Sequence, residues 1–180
     1  MTGSQMGLRI GDNWFMEPSF QGPRLIIVCG LPGAGKTTLA KALADRLGAV
    51  RFAPDEWMVA LSISIYDEQK RARIEALQWK FAQELLGIGL VVIIEWGTWG
   101  RSERDALRLG ARALGAAVEL HYVSAPVDVL FARIQQRGRE NPPLERIDVE
   151  RWVEIFQEPT PEEKALFDDH LVAELPASSS

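Results

Sequence analysis

The twelve residues CGLPGAGKTTLA, Cys29 to Ala40, crowd three glycines, a proline, a lysine and two threonines behind the apolar run RLIIV. Within them Gly30, Leu31, Pro32, Gly33, Ala34, Gly35, Lys36 and Thr37 match the pattern G-x-x-x-x-G-K-[ST] without departure. Glycines at such places let backbone N–H groups converge on phosphate oxygens, because no Cβ blocks the approach or the positive φ values it requires. A helix starting near Lys36 adds the positive end of its dipole. The Lys36 ammonium is then the group that reaches β- and γ-phosphates, and the Thr37 hydroxyl is the candidate Mg²⁺ ligand. Thr38 closes the nucleotide-binding set. A glycine-rich turn arising by chance would show this pattern in roughly one chain of this size in a hundred. Its place between an apolar run and a helical pattern favours nucleotide binding.

Such a loop needs a strand before it and a helix after it, and the flanking pattern supplies both. Leu39, Leu43 and Leu47 recur at helical spacing, and Gly48 is a natural stop. Residues 49–52 read as a short strand, with Pro54 at the first position of the next helix. Ile74, Leu77, Phe81 and Leu85 mark one face of a helix of about twenty residues ending near Gly87. LVVII, residues 90–94, is short, β-branched and continuously apolar, as a strand covered on both faces should be. Ser102 and Asp105 resemble a capping box, followed by Leu107, Ala111 and Leu114.

Val118, Leu120 and Tyr122 then alternate with Glu119 and His121 as in a strand. Val127, Leu130, Phe131 and Ile134 mark a helix, RGRENPPLER has loop composition, and Val149, Trp152 and Phe156 mark another helix. Thr160, Pro161 and Glu163 supply a cap, a first-turn proline and a box partner, and HLVAEL, residues 170–175, reads as a final strand. Strands alternating with helices define a mostly parallel sheet with helices on both faces, in a single α/β domain. Its expected bounds are residues 24–175. Residues 1–23 form an N-terminal extension, of which Met1–Gly7 resemble an expression leader, and residues 176–180 read as a frayed tail.

Bulk properties narrow the function. A length of 180 residues suits one domain with a substantial core. With 47% hydrophobic and 25% charged residues, neither disorder nor a membrane protein is suggested. The formal net charge of −5 argues against a long nucleic-acid footprint, which needs clustered Lys and Arg. Cys29 is the one cysteine, so no internal disulfide forms and a reducing cytoplasm is expected; at a strand end it reads as a small core residue. No basic start leads into an apolar stretch, and no apolar run approaches a membrane span. His121 and His170 are isolated, without metal-ligand spacing. Oligomeric state is not readable.

Two further groups have the chemistry of a site. Arg101 and Arg104 fall at a helix start, where cations oppose the dipole, which points to a ligand-facing role, more so for Arg104. Trp57, Trp96 and Trp99 flank loop ends. Tryptophan is usually core, and three so placed also suit the wall of a flat or apolar acceptor pocket.

On GLPGAGKTT, FAPDEWM, VVIIEWGTWGRSERD, VELHYV, VLFARIQQR and FQEPTPEE, from about Arg24 to Phe167, the chain resembles a group of small P-loop kinases. The group includes zeta toxins, chloramphenicol phosphotransferases and phage polynucleotide kinases, and the chain is especially similar to a bacterial branch of ATP-binding proteins. The resemblance implies that Asp55, just after the second strand, accepts the proton of a substrate hydroxyl; its residue-level alternative is a helix-capping Asp. It implies that Glu95, at the end of the third strand, orients Mg²⁺, water or substrate, although related chains often carry Asp there. It also implies a lid, with Arg133 near the adenine, Arg137 near the phosphates and Arg139 as a further lid residue.

Together these readings describe an ATP- and Mg²⁺-dependent kinase acting on a hydroxyl of a small molecule, such as an antibiotic, nucleoside, nucleotide sugar or other metabolite. Lys36, Asp55 and Arg137 would be catalytic, while Asp55, Trp57, Glu95, Trp96, Trp99 and Arg104 would face the acceptor. The alternatives are a regulatory ATPase acting on a protein partner and a polynucleotide 5′-hydroxyl kinase. The absence of an evident N-K-x-D removes ordinary GTPases.

Overall fold

A computed structural model describes residues 22–138 and 143–171. Arg139, the expression-leader resemblance, the tail and most of the N-terminal extension lie outside the described residues. The elements in chain order are β1 (Arg24–Cys29), α1 (Lys36–Leu47), β2 (Val50–Phe52), α2 (Pro54–Ala60), α3 (Glu68–Gly87) and β3 (Val91–Ile94). They continue with α4 (Arg101–Ala113), β4 (Ala117–Tyr122), α5 (Val127–Arg137), α6 (Arg146–Ile155) and α7 (Pro161–Lys164). The strands form one sheet, in the order β2-β3-β1-β4, with every pairing parallel. This is the α/β architecture that alternating strands and helices predict.

Strand alternation sorts the core into two layers. Leu25, Ile27, Cys29, Phe52, Val92 and Ile94 pack against Ala82 and Leu86 of α3 and Leu107 and Ala111 of α4. Ile26, Val28 and Ile93 face the opposite way, against Ala40 and Leu43 of α1. A third cluster joins Leu31 and Ala34 of the glycine loop to Leu130 and Ile134 of α5 and Val149 of α6. The loop's apolar residues are therefore anchored in core while its backbone stays at the sheet's carboxyl edge. Cys29 is a core residue, and burial pushes its thiol up to about 11.

Five local expectations change. On α3 the buried stripe is Ile74, Gln78, Ala82 and Leu86, whereas Leu77 and Phe81 are exposed. A glutamine takes a core place because its Oε1 accepts a hydrogen bond from Trp96 Nε1 at 3.0 Å. The α4 cap lies earlier than Ser102: Gly100 is the N-cap, and Glu103 Oε2 accepts its N–H at 3.2 Å.

On β4 the polar residues are buried along with the apolar ones. Glu119 accepts from Arg24 Nη1 at 2.6 Å and from the Leu171 N–H at 2.9 Å, and it pairs with His121 at 2.8 Å. His121 and His170 stack on each other at 3.8 Å, so they are not isolated. Finally, His170 and Leu171 are not in a strand; the rest of that expected strand lies outside the described residues.

At Gly30 the chain leaves β1 directly beneath the end of β4. A Cβ there would stand 2.1 Å from the Val123 carbonyl oxygen, and φ is 144°. Gly33 is nearly as confined, its Cβ falling 2.9 Å from the Leu130 carbonyl oxygen. Both glycines are thus demanded by the fold as well as by any phosphate. Gly30→Ala should lower the unfolding free energy by on the order of 3 kcal/mol, the class of effect produced by backbone strain and overpacking. Urea denaturation measures this, and a midpoint indistinguishable from wild type would contradict the confinement.

Candidate functional site

Helix α1 begins with its donors free of side chains. Its N-cap is Gly35, no side chain caps it, and its first turn holds no acidic residue. By contrast, Asp67 caps α3 by accepting the Lys70 N–H, and Thr160 caps α7 by accepting the Glu163 N–H. The unsatisfied N–H groups of α1 and the loop before it form a ready anion cradle. Pro32 and Gly33 lie in this loop, and Thr38 is exposed in the first turn of α1.

Lys36 folds back over that cradle. Its Nζ donates to the carbonyls of Gly30, at 2.8 Å, and Leu31, at 3.1 Å. The residue keeps part of its surface exposed, yet enclosure of the ammonium pulls its pKa down to about 8. Glu95 and Asp55 oppose that shift, and Arg137 adds to it. Carbonyls hold the ammonium loosely enough for a phosphate, carrying full negative charge, to take it over.

Glu95 follows from the same alternation that sorts the core. Ile93 faces α1, so Glu95 two residues on faces the same way, while Ile94 and Trp96 face α3 and α4. The Thr37 hydroxyl donates to Glu95 Oε1, and Arg51 Nη1 donates to Glu95 Oε2 at 2.5 Å. Arg51 also donates to Glu56 Oε2 at 2.5 Å, and Lys41 lies 3.4 Å from Glu56 Oε1. Arg51 was not singled out from the sequence. The signal was a cation inside a three-residue strand, between Val50 and Phe52.

Among the described residues no group of three or more His, Cys, Asp or Glu is placed to hold a metal. Were Mg²⁺ to arrive with nucleotide phosphates and waters, the Thr37 hydroxyl would be the oxygen the loop offers it.

Asp55 lies in the first turn of α2 but does not cap it. The N-cap is Ala53, with extended backbone and no side-chain cap. The Asp55 side chain is 61% exposed and accepts from Arg71 Nη2 at 2.6 Å. The same Arg71 nitrogen donates to the Ile65 carbonyl at 3.0 Å, and Arg71 Nη1 lies 3.9 Å from Glu75. Burial raises the Glu75 pKa against the pull of Arg71, with Glu103 and Asp55 adding to the rise.

The tryptophans divide. Trp57 stacks edge-on to Phe52 at 6.1 Å and, with Trp96, packs on the α3–α4 side of the sheet. Trp99 packs instead on Trp152 and Phe156, beside α5 and α6. They do not form one wall.

Arg104 departs from the expectation of a ligand-facing cation. It is 0% exposed, and its guanidinium meets Glu163 twice, at 2.6 and 2.9 Å. It also donates to the carbonyls of Thr98, at 3.0 Å, and Gln157, at 2.8 Å. Thr98 has φ 40°, a conformation that strains a β-branched residue. Arg104 therefore ties the β3–α4 loop to the segment between α6 and α7. Arg101 is partly exposed and pairs with Asp105 at 3.4 Å.

On the far side of the loop, Arg133 Nη1 donates to the carbonyls of Gly33, at 3.1 Å, and Ala34, at 3.3 Å. Arg137 is exposed, has no ion pair among the described residues and lies within electrostatic reach of Lys36.

A parallel sheet, a glycine loop leading into an uncapped helix and a lysine folded back over that loop define a P-loop, kinase-like nucleotide-binding domain. A family model described as an AAA domain matches residues 25–159, and the chain belongs to that family. This assignment is coarser than the zeta toxin and chloramphenicol phosphotransferase grouping. The chain is 33% identical over 133 residues to an uncharacterized protein of Mycobacterium tuberculosis (strain ATCC 25618 / H37Rv), covering 66% of this chain and 26% of that one. It therefore spans about a quarter of that relative's length.

It is also 30% identical to an adenylate kinase isoenzyme 6 homolog of Schizosaccharomyces pombe, over 86% of this chain and 82% of that one. Among solved structures, Chaetomium thermophilum Kti12 in complex with ADP-AlF3 superposes with a TM-score of 0.58 at 25% identity, covering 77% of this chain and 82% of that one. In the described residues no helix is long and apolar enough to cross a membrane.

The lowered Lys36 pKa gives a pH dependence. Below about 8 the free protein already carries the charge that phosphate needs; above it, binding must return a proton to Lys36. ATP affinity should therefore weaken about eightfold from pH 7.5 to pH 9, with proton uptake on binding. Calorimetry in buffers of different ionisation enthalpy reads both. Constant affinity without proton uptake would contradict a lysine poised near 8.

Proposed function

We propose that the chain is an ATP- and Mg²⁺-dependent kinase that transfers the γ-phosphoryl group to a hydroxyl of a small molecule. The observation that carries this reading is Asp55. It is relieved of any capping duty, held by Arg71, open to solvent and close enough to Lys36 to strengthen that lysine's hold on its proton. A solvent-open carboxylate that caps no helix and lies within electrostatic reach of Lys36 is suited to a positioned base.

In this reading ATP lies along Gly30 to Thr38, and Lys36 moves from the Gly30 and Leu31 carbonyls to the β- and γ-phosphates. Magnesium, held by Thr37 and the phosphates, would offset charge as it develops on the transferred group. The acceptor oxygen forms a bond to the γ-phosphorus, the bond from that phosphorus to the bridging oxygen breaks, ADP leaves, and the acceptor's proton passes to Asp55. Arg137, with Arg139 outside the described residues, supplies positive charge from the lid, while Arg133 steadies the loop carbonyls. Trp57 and Trp96 offer the acceptor a flat surface, and a reducing cytoplasm is the expected setting.

Phosphate transfer from γ-labelled ATP to a broad panel of antibiotics, nucleosides, nucleotide sugars and metabolites tests the proposal. AMP belongs in the panel because of the name of the S. pombe relative, and a 5′-hydroxyl oligonucleotide separates the nucleic-acid reading. Turnover to water alone would favour the regulatory ATPase. With a working acceptor, Asp55→Asn should lower transfer by roughly 10²–10⁴-fold, the range for a positioned base. ATP affinity should stay near wild type, since the amide oxygen still accepts from Arg71. Near-normal transfer in a folded Asp55→Asn protein would overturn the assignment.

A further inference from the structure

A hydroxyl can lend its lone pairs to a cation only if its own proton has somewhere to go. At Thr37 that place is Glu95: the hydroxyl donates to Oε1, which leaves the oxygen's lone pairs free on its exposed side. Glu95 cannot swing to another partner, because Arg51 holds its second oxygen at 2.5 Å and its backbone N–H donates to the Phe52 carbonyl at 2.9 Å. The carboxylate is 6% exposed and the Arg51 side chain 12%, so solvent screens this pair little.

The placement follows from strand register. Arg51 pairs with Ile93, so its side chain shares the α1 face of the sheet with Ile93 and Glu95. The first turn of α1 brings Thr37 onto the same face. A glutamate is long enough to span from the end of β3 to Thr37 while still meeting Arg51.

We infer that Arg51 is a positioning residue for the nucleotide's metal ion, acting through Glu95 on the Thr37 hydroxyl. The inference rests on the nucleotide-and-Mg²⁺ part of the proposed function and is independent of the acceptor and of Asp55. Arg51 supplies two things. Its charge holds the nearly buried Glu95 side chain as its acceptor, and its fork fixes which oxygen faces Thr37. Without it, the Glu95 carboxylate has freedom to rotate, and the Thr37 hydroxyl loses its fixed orientation. Through Glu56 the same guanidinium reaches the first turn of α2, the turn that carries Asp55.

Binding of a fluorescent ADP analogue, titrated without Mg²⁺ and at rising Mg²⁺, reads this without any transfer reaction. Arg51→Met should leave Mg²⁺-free affinity within about twofold of wild type and raise the Mg²⁺ concentration for half-maximal enhancement roughly 10–100-fold, as loss of a ligand-orienting partner does. Arg51→Lys, which keeps the charge without the fork, should fall between the two. Removing one partner leaves Glu95 unpaired, so Arg51→Met is also compared with Glu95→Gln and with the double variant, which holds no orphaned charge at that pair.

If Arg51 acts through Glu95, the double variant matches Glu95→Gln in its Mg²⁺ response. An unchanged Mg²⁺ response in Arg51→Met, or an equally large shift when Arg51 is replaced in the Glu95→Gln background, would overturn the inference. Wild-type binding of the ADP analogue with no Mg²⁺ enhancement would overturn both the inference and the metal's part in the proposed function, while leaving Asp55 to its own test.

Discussion

A lysine ammonium enclosed by its own loop, bonded among the described residues to two backbone carbonyls, is the interaction from which the rest of the site follows. Burial pulls Lys36 toward neutrality, and nearby carboxylates hold the proton in place without touching it. Such a group is held weakly by its present partners and strongly by any ligand bearing several negative oxygens. The sheet enforces this arrangement. Gly30 has no room for a side chain beneath β4, Leu31 and Ala34 are sunk in the α5–α6 core, and Gly35 starts α1 without a capping side chain. The loop is shaped before any phosphate arrives.

Around that lysine the charges fall into two groups. On the α1 face, Arg51, Glu95 and Thr37 make one connected set at the end of β3. Beside it, Arg71 holds Asp55 and approaches Glu75 where α2 and α3 meet. Arg51 links the groups through Glu56, the neighbour of Asp55. The proposed function assigns the first group to the metal and the second to the acceptor, and both lie at the carboxyl ends of the strands, where open α/β sheets bind ligands.

The glycine loop, the four strands of the sheet and most helix bounds were readable in the sequence because each rests on local chemistry: glycine freedom, continuous apolar runs and end signals. What escaped depends on partners distant in sequence. Arg104 reads as a cation at a helix start, and only Glu163, fifty-nine positions away, makes it a buried clamp. Gln78 lies off the face the periodicity marks, and its burial goes with Trp96, eighteen positions on, donating to it. Arg51 carries no motif, and its meaning comes from parallel register with β3. Trp57, Trp96 and Trp99 share a residue type and a stretch of chain, yet they serve two separate clusters.

The most direct measurement is calorimetric titration of ATP into Lys36→Met, with the fold verified by circular dichroism and thermal denaturation. The account predicts a folded protein whose ATP affinity falls roughly 10–100-fold, the equivalent of a lost charge-assisted hydrogen bond of about 1.5–3 kcal/mol. A folded Lys36→Met protein that binds ATP as tightly as wild type would contradict it.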